Sequence, residues 1–324
     1  MNITVGVSTY GPLDRVNKFM LSFWNSFEES AHVVSTVCVD DGTPNPGKVR
    51  ERERDCKRLK FDFIAHEKNR GIPAAWNTIV KYAIEKNSDM VMIFNDDIYF
   101  IHPGWISRMA FFFENNQNLG TVGYPIVNEP GFNDNDSRWG TTPGLCGAAV
   151  GCSFAASPQV IYSIENPDKS KGYWEDLVSF HEETTMGFRM AQMGYLSWML
   201  PWPPVRHDGG RTFHSSPELT WRDPSEYMPM EQYLDYARSS PFYIPQYEDM
   251  YAKGRVDRMM YSRAMFCKYW GILDLPRKMD IGDEKDVDIW NEPQKYVHQL
   301  VVPRTAGREI MWLNKEGKQE KAML

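Results

Sequence analysis

The sequence predicts an α/β fold, a mainly parallel sheet flanked by helices, followed by a mostly helical, aromatic-rich extension. Three observations carry this. Strand-like and helix-like segments alternate over the first third of the chain. The run "MVMIF" at residues 90–94 is apolar throughout, as in a strand covered on both faces. Beyond about residue 215 the alternation stops, and Tyr, Pro and acidic residues crowd together.

The elements follow in order. "ITVGVSTY" reads as a strand that stops at Gly11-Pro12. "LDRVNKFMLSFWNSF" has apolar residues at helical spacing, and "VVSTVCVDDG" is a second strand running into carboxylates. "NPGKVRERERDCKRL" reads as a charged surface helix, "KFDFIAHEKN" as a third strand and "IPAAWNTIVKYAIEK" as an amphipathic helix. After "MVMIF", "PGWISRMAFFFEN" is a helix begun near a proline. "GTVGYPIV" is a further strand, and residues 128–144 are a polar, Gly/Pro-rich loop of a length common at functional sites. "LCGAAVGCSFAASPQVI" reads as a small-residue strand and a helix start, and "EETTMGFRMAQMGYLSWML" as helix, glycine stop and strand. The final "NKEGKQEKAML" is expected to be a solvated tail.

Alternating β and α segments imply right-handed crossovers and a ligand site beyond the carboxyl ends of the strands. Three strands end in polar residues on that rim: Thr9-Tyr10, Asp40-Asp41 and Asn95-Asp96-Asp97. One such end is an ordinary solvated turn; three together point to a site. Adjacent carboxylates repel each other and are costly to desolvate, so Asp96 and Asp97 either face water or meet a cation. A hard divalent cation with one or two carboxylates and substrate phosphates fits that pattern.

Composition bounds the function. The chain has 324 residues, 42% hydrophobic and 24% charged, with a net charge of −7 that gives no basic footprint for nucleic acid. Aromatics reach 14%, enough for a large core or for platforms under sugars or bases. The five cysteines are scattered without a C-x-x-C pair, which suggests reduced thiols and a cytoplasmic protein. No signal peptide is expected, and no window approaches the roughly 18 apolar residues of a spanning helix. Phosphate-loop and dinucleotide glycine motifs are absent.

Two further places carry candidate chemistry. Glu182 and Glu183 open a helix, where acids complement the dipole or serve as a general base. His207 lies in the Gly-rich "PPVRHDGGRTFH", with His214 a weaker candidate.

In this order the segments resemble the family 2 glycosyltransferases, over roughly residues 2–212. "VSTYG", "VDDGT", "NRGIPAAWN", "FNDDIYFIHPGW", "EETTMGFRMAQMGY" and "HDGGRT" match the family's successive motifs. The resemblance implies a Rossmann-like GT-A catalytic domain at 1–212 and an extension at 213–324. It implies an inverting, metal-dependent transfer from a nucleotide-diphosphate sugar, UDP-linked first, to a glycan or other hydroxyl acceptor. Asp97 and His207 would hold Mg²⁺ or Mn²⁺. Thr9, Tyr10, Asp40, Asp41, Asn69, Arg70, Asn77 and Asp96 would lie around the donor. Glu183 would be the base, with Glu182 beside it. Thr185 stands where the family usually has Asp, which leaves room for a non-catalytic nucleotide-sugar-binding module. The aromatic extension is expected to pack on the catalytic domain or on a second subunit; base stacking by a nucleic-acid acceptor is the other reading.

Overall fold

The protein is described by a computed structural model. It covers residues 1–28, 32–127, 142–147, 153–177, 181–203, 205–208, 218–219, 228–240, 243–253, 256–281, 284–293, 295–296 and 307–323. Most of the loop 128–144, Cys152 and His214 lie outside the described residues.

The chain opens with β1 (Asn2–Thr9), α1 (Leu13–Ser26), β2 (Val33–Asp40), α2 (Pro46–Arg58), β3 (Asp62–Ala65), α3 (Ile72–Glu85) and β4 (Met90–Asn95). Next come β5 (Ile98–Phe100), α4 (Trp105–Asn115), β6 (Leu119–Gly123), β7 (Ile126–Val127), β8 (Gly144–Cys146), β9 (Ser153–Ala156) and α5 (Pro158–Ser163). A 3-10 turn at Glu175–Leu177 leads to α6 (Glu182–Gln192), β10 (Leu196–Met199) and β11 (Val205–His207). The expected strands and helices are thus found, with two refinements. "GTVGYPIV" breaks into β6 and β7, and the 146–156 stretch yields β9, which runs antiparallel to both β4 and β6.

The central sheet has the order β3-β2-β1-β4-β9-β6-β10-β8. β3, β2, β1 and β4 are mutually parallel, and β10 is parallel to β6. Both faces are covered. One core gathers Phe19, Phe23, Phe94, Phe100, Trp105 and Phe112 under α1 and α4. There the rings of Phe100 and Trp105 stack 4.0 Å apart, and the Trp105 indole donates to Ser26 Oγ at 3.0 Å. The other core sets Trp76, Ile79 and Tyr173 against Val37, Val39, Ile93 and Phe154. Burying each large side chain contributes about 1.5–3 kcal/mol, so the doubly covered strands anchor the rim at their ends.

Local chemistry fixes the helix starts. Asn45 Oδ1 accepts from the amides of Gly47 and Lys48 at 2.9 and 3.2 Å, and Pro46 opens α2. Gly194, at φ +91°, stops the chain after α6 and lets it turn into β10.

The extension contains β12 (Glu218–Leu219), α7 (Met230–Ser239), α8 (Gln246–Ala252), β13 (Val256–Asp257) and α9 (Arg258–Tyr269). It continues through β14 (Lys278–Ile281), β15 (Glu284–Asp288), β16 (Glu309–Leu313) and β17 (Gln319–Met323). Its helices share a core of Tyr233, Leu234, Tyr236, Tyr261 and Phe266 with Trp174 and Leu177. The extension is therefore mixed, with three two-stranded ladders beside its helices among the described residues.

The expected solvated tail is instead structured. β16 and β17 form a hairpin whose Ile310 and Trp312 are buried in the first core beside α4. Arg108 of α4 donates to the carbonyls of Asn314 and Lys315 at 3.3 and 2.9 Å, and Asn116 clasps Met311 through both its amide and its carbonyl. Contacts therefore cross the division expected at residue 212.

Candidate active site

Parallel pairing brings the polar strand ends together. Thr9 lies opposite Asp40, and Ser8 opposite Asn95. Thr9 Oγ1 donates to Asp96 Oδ2 at 2.6 Å, and Ser8 Oγ donates to Asn95 Oδ1 at 3.3 Å. Burial pushes the Asp96 carboxyl up to about 7, against the Thr9 hydrogen bond that lowers it, with the neighbouring Asp97 adding to the rise. Tyr10 is half-buried at the end of β1.

Asp97 is the second residue of the turn between β4 and β5. A small sheet of order β5-β11-β7 places His207 opposite Ile98, so His207 Nε2 comes 3.3 Å from Asp97 Oδ2. That contact raises the imidazole pKa, offset in part by burial. Asp97 Oδ1 is buried and has no hydrogen-bond partner among the described residues. An acceptor-only oxygen left over, beside a His nitrogen, is a donor set that suits Mg²⁺ or Mn²⁺. No cluster of three or more potential ligands stands together among the described residues.

The second rim is built by Asp40 and Asp41, which face different ways. Asp40 is fully buried; Oδ1 accepts from the Thr43 amide at 2.7 Å and Oδ2 is ion-paired with Arg52. The Arg52 guanidinium also donates to Thr43 Oγ1 at 2.9 Å and to the Gly11 and Pro12 carbonyls at 3.1 and 3.3 Å. It ties the turn after β1 to the turn after β2. Asp41 accepts from the amides of Arg70 and Gly71 at 3.0 and 2.8 Å, with His66 Nδ1 at 2.8 Å. It thereby holds the 66–71 loop, whose backbone passes so close to Gly42 that a Cβ there would meet Lys68 C at 2.0 Å.

Asn69, Arg70 and Asn77 belong to that loop and the helix after it. Asn69 Oδ1 is buried without a hydrogen-bond partner among the described residues. Arg70 pairs with Glu175 at 2.7 Å. The Asn77 side chain is engaged by Tyr173 and Glu175. Its side chain donates to the Tyr173 carbonyl and accepts from the Tyr173 amide, both at 2.8 Å, and donates to Glu175 at 3.1 Å. So Asp40 and Asn77, expected beside a donor, have their polar atoms engaged by other groups of the protein, in each case by a backbone group and a charged side chain.

Glu182 and Glu183 open α6. Burial, with the neighbouring Glu183, pushes the Glu182 carboxyl well above the usual range, and burial pushes Glu183 up to about 7. Glu182 is buried with Oε2 unpartnered among the described residues, whereas Glu183 is half-buried. Thr185 is buried, and its hydroxyl also lacks a hydrogen-bond partner among the described residues.

Sequence reading missed several members of this neighbourhood. Arg52 is hidden in a run of charges, and its only signal is the i, i+3, i+4 spacing with buried Asp55 and Cys56. Glu175 and Ser153 have no local signal. Ser153 stands opposite Phe94 at the start of β9, buried, with its hydroxyl unpartnered among the described residues.

A sheet whose parallel strand ends gather acids, a histidine and unpartnered polar atoms is the layout of an α/β enzyme that takes its ligand beyond those ends. Residues 5–165 match the family model described as Glycosyl transferase family 2, which places this stretch in that family. No curated protein matches the sequence. Among solved structures, a mannosyltransferase from Pyrobaculum calidifontis, PcManGT in complex with GDP-Man and Mn²⁺, is similar at 16% identity and a TM-score of 0.48, over 81% of this chain and 71% of that one. TarS 1–349 of S. aureus is similar at 14% identity and a TM-score of 0.49, over 91% of this chain and 98% of that one. Its complex with UDP-GlcNAc is similar at 13% identity and a TM-score of 0.48, over the same 91% and 98%. No helix among the described residues is long and apolar enough to cross a membrane.

Proposed function

We propose that this glycosyltransferase works by an inverting single displacement from a nucleotide-diphosphate sugar to an acceptor hydroxyl. The observation that carries the reading is Glu183, a half-buried carboxyl at a helix start whose pKa burial brings up to about 7. A base of that strength is matched to removing a proton near neutral pH. Glu183 takes the hydroxyl proton as the acceptor oxygen bonds to the anomeric carbon. The bond from that carbon to the phosphate oxygen breaks on the opposite face, and the nucleoside diphosphate departs with the electron pair.

The other residues bind and orient. Thr9, Tyr10, Asn69, Arg70 and the Asp41-held loop border the donor, with Asp96 beneath them. Asp97 and His207 would hold Mg²⁺ or Mn²⁺, which when bound offsets the charge of the diphosphate. Glu182, kept protonated by burial and by its neighbour, leaves Glu183 as the ionising member of the pair.

The test begins with thermal-shift screening of UDP-, GDP-, dTDP- and CDP-sugars with and without Mn²⁺, since a ligand of the native state raises its melting temperature. With the donor so found, Glu183→Gln should lower turnover by about 10²–10⁴ while the donor-induced shift stays near wild type. Wild-type turnover in that variant would remove Glu183 from the mechanism.

A further inference from the structure

The stretch from Trp174 to Arg189 carries both Glu175 and the acid pair, and one element of the extension, with the residue after it, touches it at several of its described residues. Ser262 of α9 donates its hydroxyl to the Leu177 carbonyl. The Phe266 ring stacks on the His181 imidazole, 5.0 Å between centroids and 24° between planes. Tyr269 lies 5.2 Å from Trp174. Trp270, one residue beyond α9, meets Phe188 edge-on at 4.0 Å, and the Arg189 guanidinium lies 5.2 Å from the Tyr269 ring and 5.6 Å from that of Trp270.

His181 is the hinge of this arrangement. It immediately precedes Glu182 and sits at φ +60°, ψ +3°, in the left-handed region that a residue with a Cβ adopts reluctantly. Its carbonyl accepts from the Thr185 amide at 2.8 Å, which closes the first turn of α6. The imidazole is buried and kept neutral, its pKa brought down to about 3 by burial and by the Arg263 charge. Such a backbone persists only where the surroundings fix it. Here the surroundings include a fully buried ring, Phe266, and a fully buried hydroxyl, Ser262, both from α9.

We infer that Phe266 and Ser262 are positioning residues for the transfer reaction. They seat His181 in its left-handed conformation and so set the direction in which Glu182 and Glu183 enter α6. This rests on the reading of Glu183 as the base. It makes the extension part of the catalytic apparatus rather than an appendage. Because α9 touches the turn before the acids and the side chains after them, the aim of the carboxylates is fixed from both sides.

The experiment uses the full chain with Phe266→Leu, which fills most of the volume without a ring to stack, and Ser262→Ala, which removes one hydroxyl. Release of nucleoside diphosphate is followed across pH with whichever of UDP-, GDP-, dTDP- or CDP-glucose gives the largest thermal shift. In parallel, hydrogen exchange is followed in peptides from α6 and α3. Both variants should exchange about tenfold faster over the first turn of α6, with α3 unchanged, as a local loosening requires. Release should fall about tenfold with the donor-induced shift unchanged, and the acid limb of its pH profile should move, since the base has lost its fixed surroundings. Wild-type exchange and wild-type release in both variants would overturn the inference. Full activity in Glu183→Gln, together with faster α6 exchange in Phe266→Leu, would overturn the assignment of the base and leave the seating of α6 standing.

Discussion

Replacing Arg52 by Met tests how the rim is built. Both Arg52 and Asp40 have side chains with 0% exposure, so removing the guanidinium strands a carboxylate in the core with the Thr43 amide as its remaining partner. Breaking a buried pair from one side costs about 3–5 kcal/mol, because the remaining charge is uncompensated. The carbonyls of Gly11 and Pro12 lose their donor as well, but such losses do not add simply, and the same range covers them. For a large domain, each kcal/mol lowers the melting temperature by roughly 2–4 °C, so a fall of about 6–20 °C is expected. Asp40→Leu in the Arg52→Met background should recover much of this, since a buried ion pair is often replaceable by apolar groups. The assay is thermal unfolding of wild type, the two single variants and the double variant. An Arg52→Met protein melting within a degree of wild type, or a cycle without coupling, would refute the reasoning.

Further outcomes follow from the same geometry. Nucleoside diphosphate release should decline as pH falls through about 7, where Glu183 gains its proton, and a flat profile from pH 5 to 8 would contradict that. The stability effect has the opposite sense. Glu183 binds its proton more tightly folded than unfolded, so its contribution is complete below the ordinary carboxylate range and is lost as pH rises through about 7; melting measured across pH should show that slope weakened in Glu183→Gln. Gly42→Ala should destabilise by more than about 1 kcal/mol, being strained at φ +74° and pressed against the Lys68 backbone, and a melting temperature at or above wild type would count against the loop's placement. Trp312→Ala should cost about 3–5 kcal/mol in chemical denaturation if its ring belongs to the catalytic domain's core, and a surface-like loss below about 0.5 kcal/mol would not fit. Asp97→Ala should abolish any Mn²⁺ dependence of the donor-induced thermal shift; an undiminished dependence would exclude this carboxylate as a ligand.

The strands and helices of the first half were legible because each is short, periodic and bounded by polar or Gly/Pro residues. Strand-end acids were legible for the same reason: an apolar run that stops at "NDD" or "DDG" locates a rim. What each acid does there was not. Asp40 and Asp41 are adjacent, yet one turns inward to Arg52 and the other holds the 66–71 loop, a choice made by side-chain direction along the strand. Asn77 looked like a ligand contact, but its partner is the backbone of Tyr173, 96 residues away. Arg70 and Glu175 are 105 residues apart, and no local pattern announces such a pair. The hairpin at 309–323 had a readable signal that the surrounding charges outweighed: Ile310 and Trp312 alternate before the "NKEG" turn, the period of a half-buried strand.

That hairpin has a consequence for how the protein is born. Arg108 and its carbonyl partner on Asn314 are separated by 206 positions, so an emerging polypeptide displays α4's bare flank long before its cover is synthesised. At about 5–20 residues per second the delay is on the order of 10–40 s. During that interval the sheet gains β6, β8, β9 and β10, and α4 keeps an uncovered flank until residues 309–323 are translated.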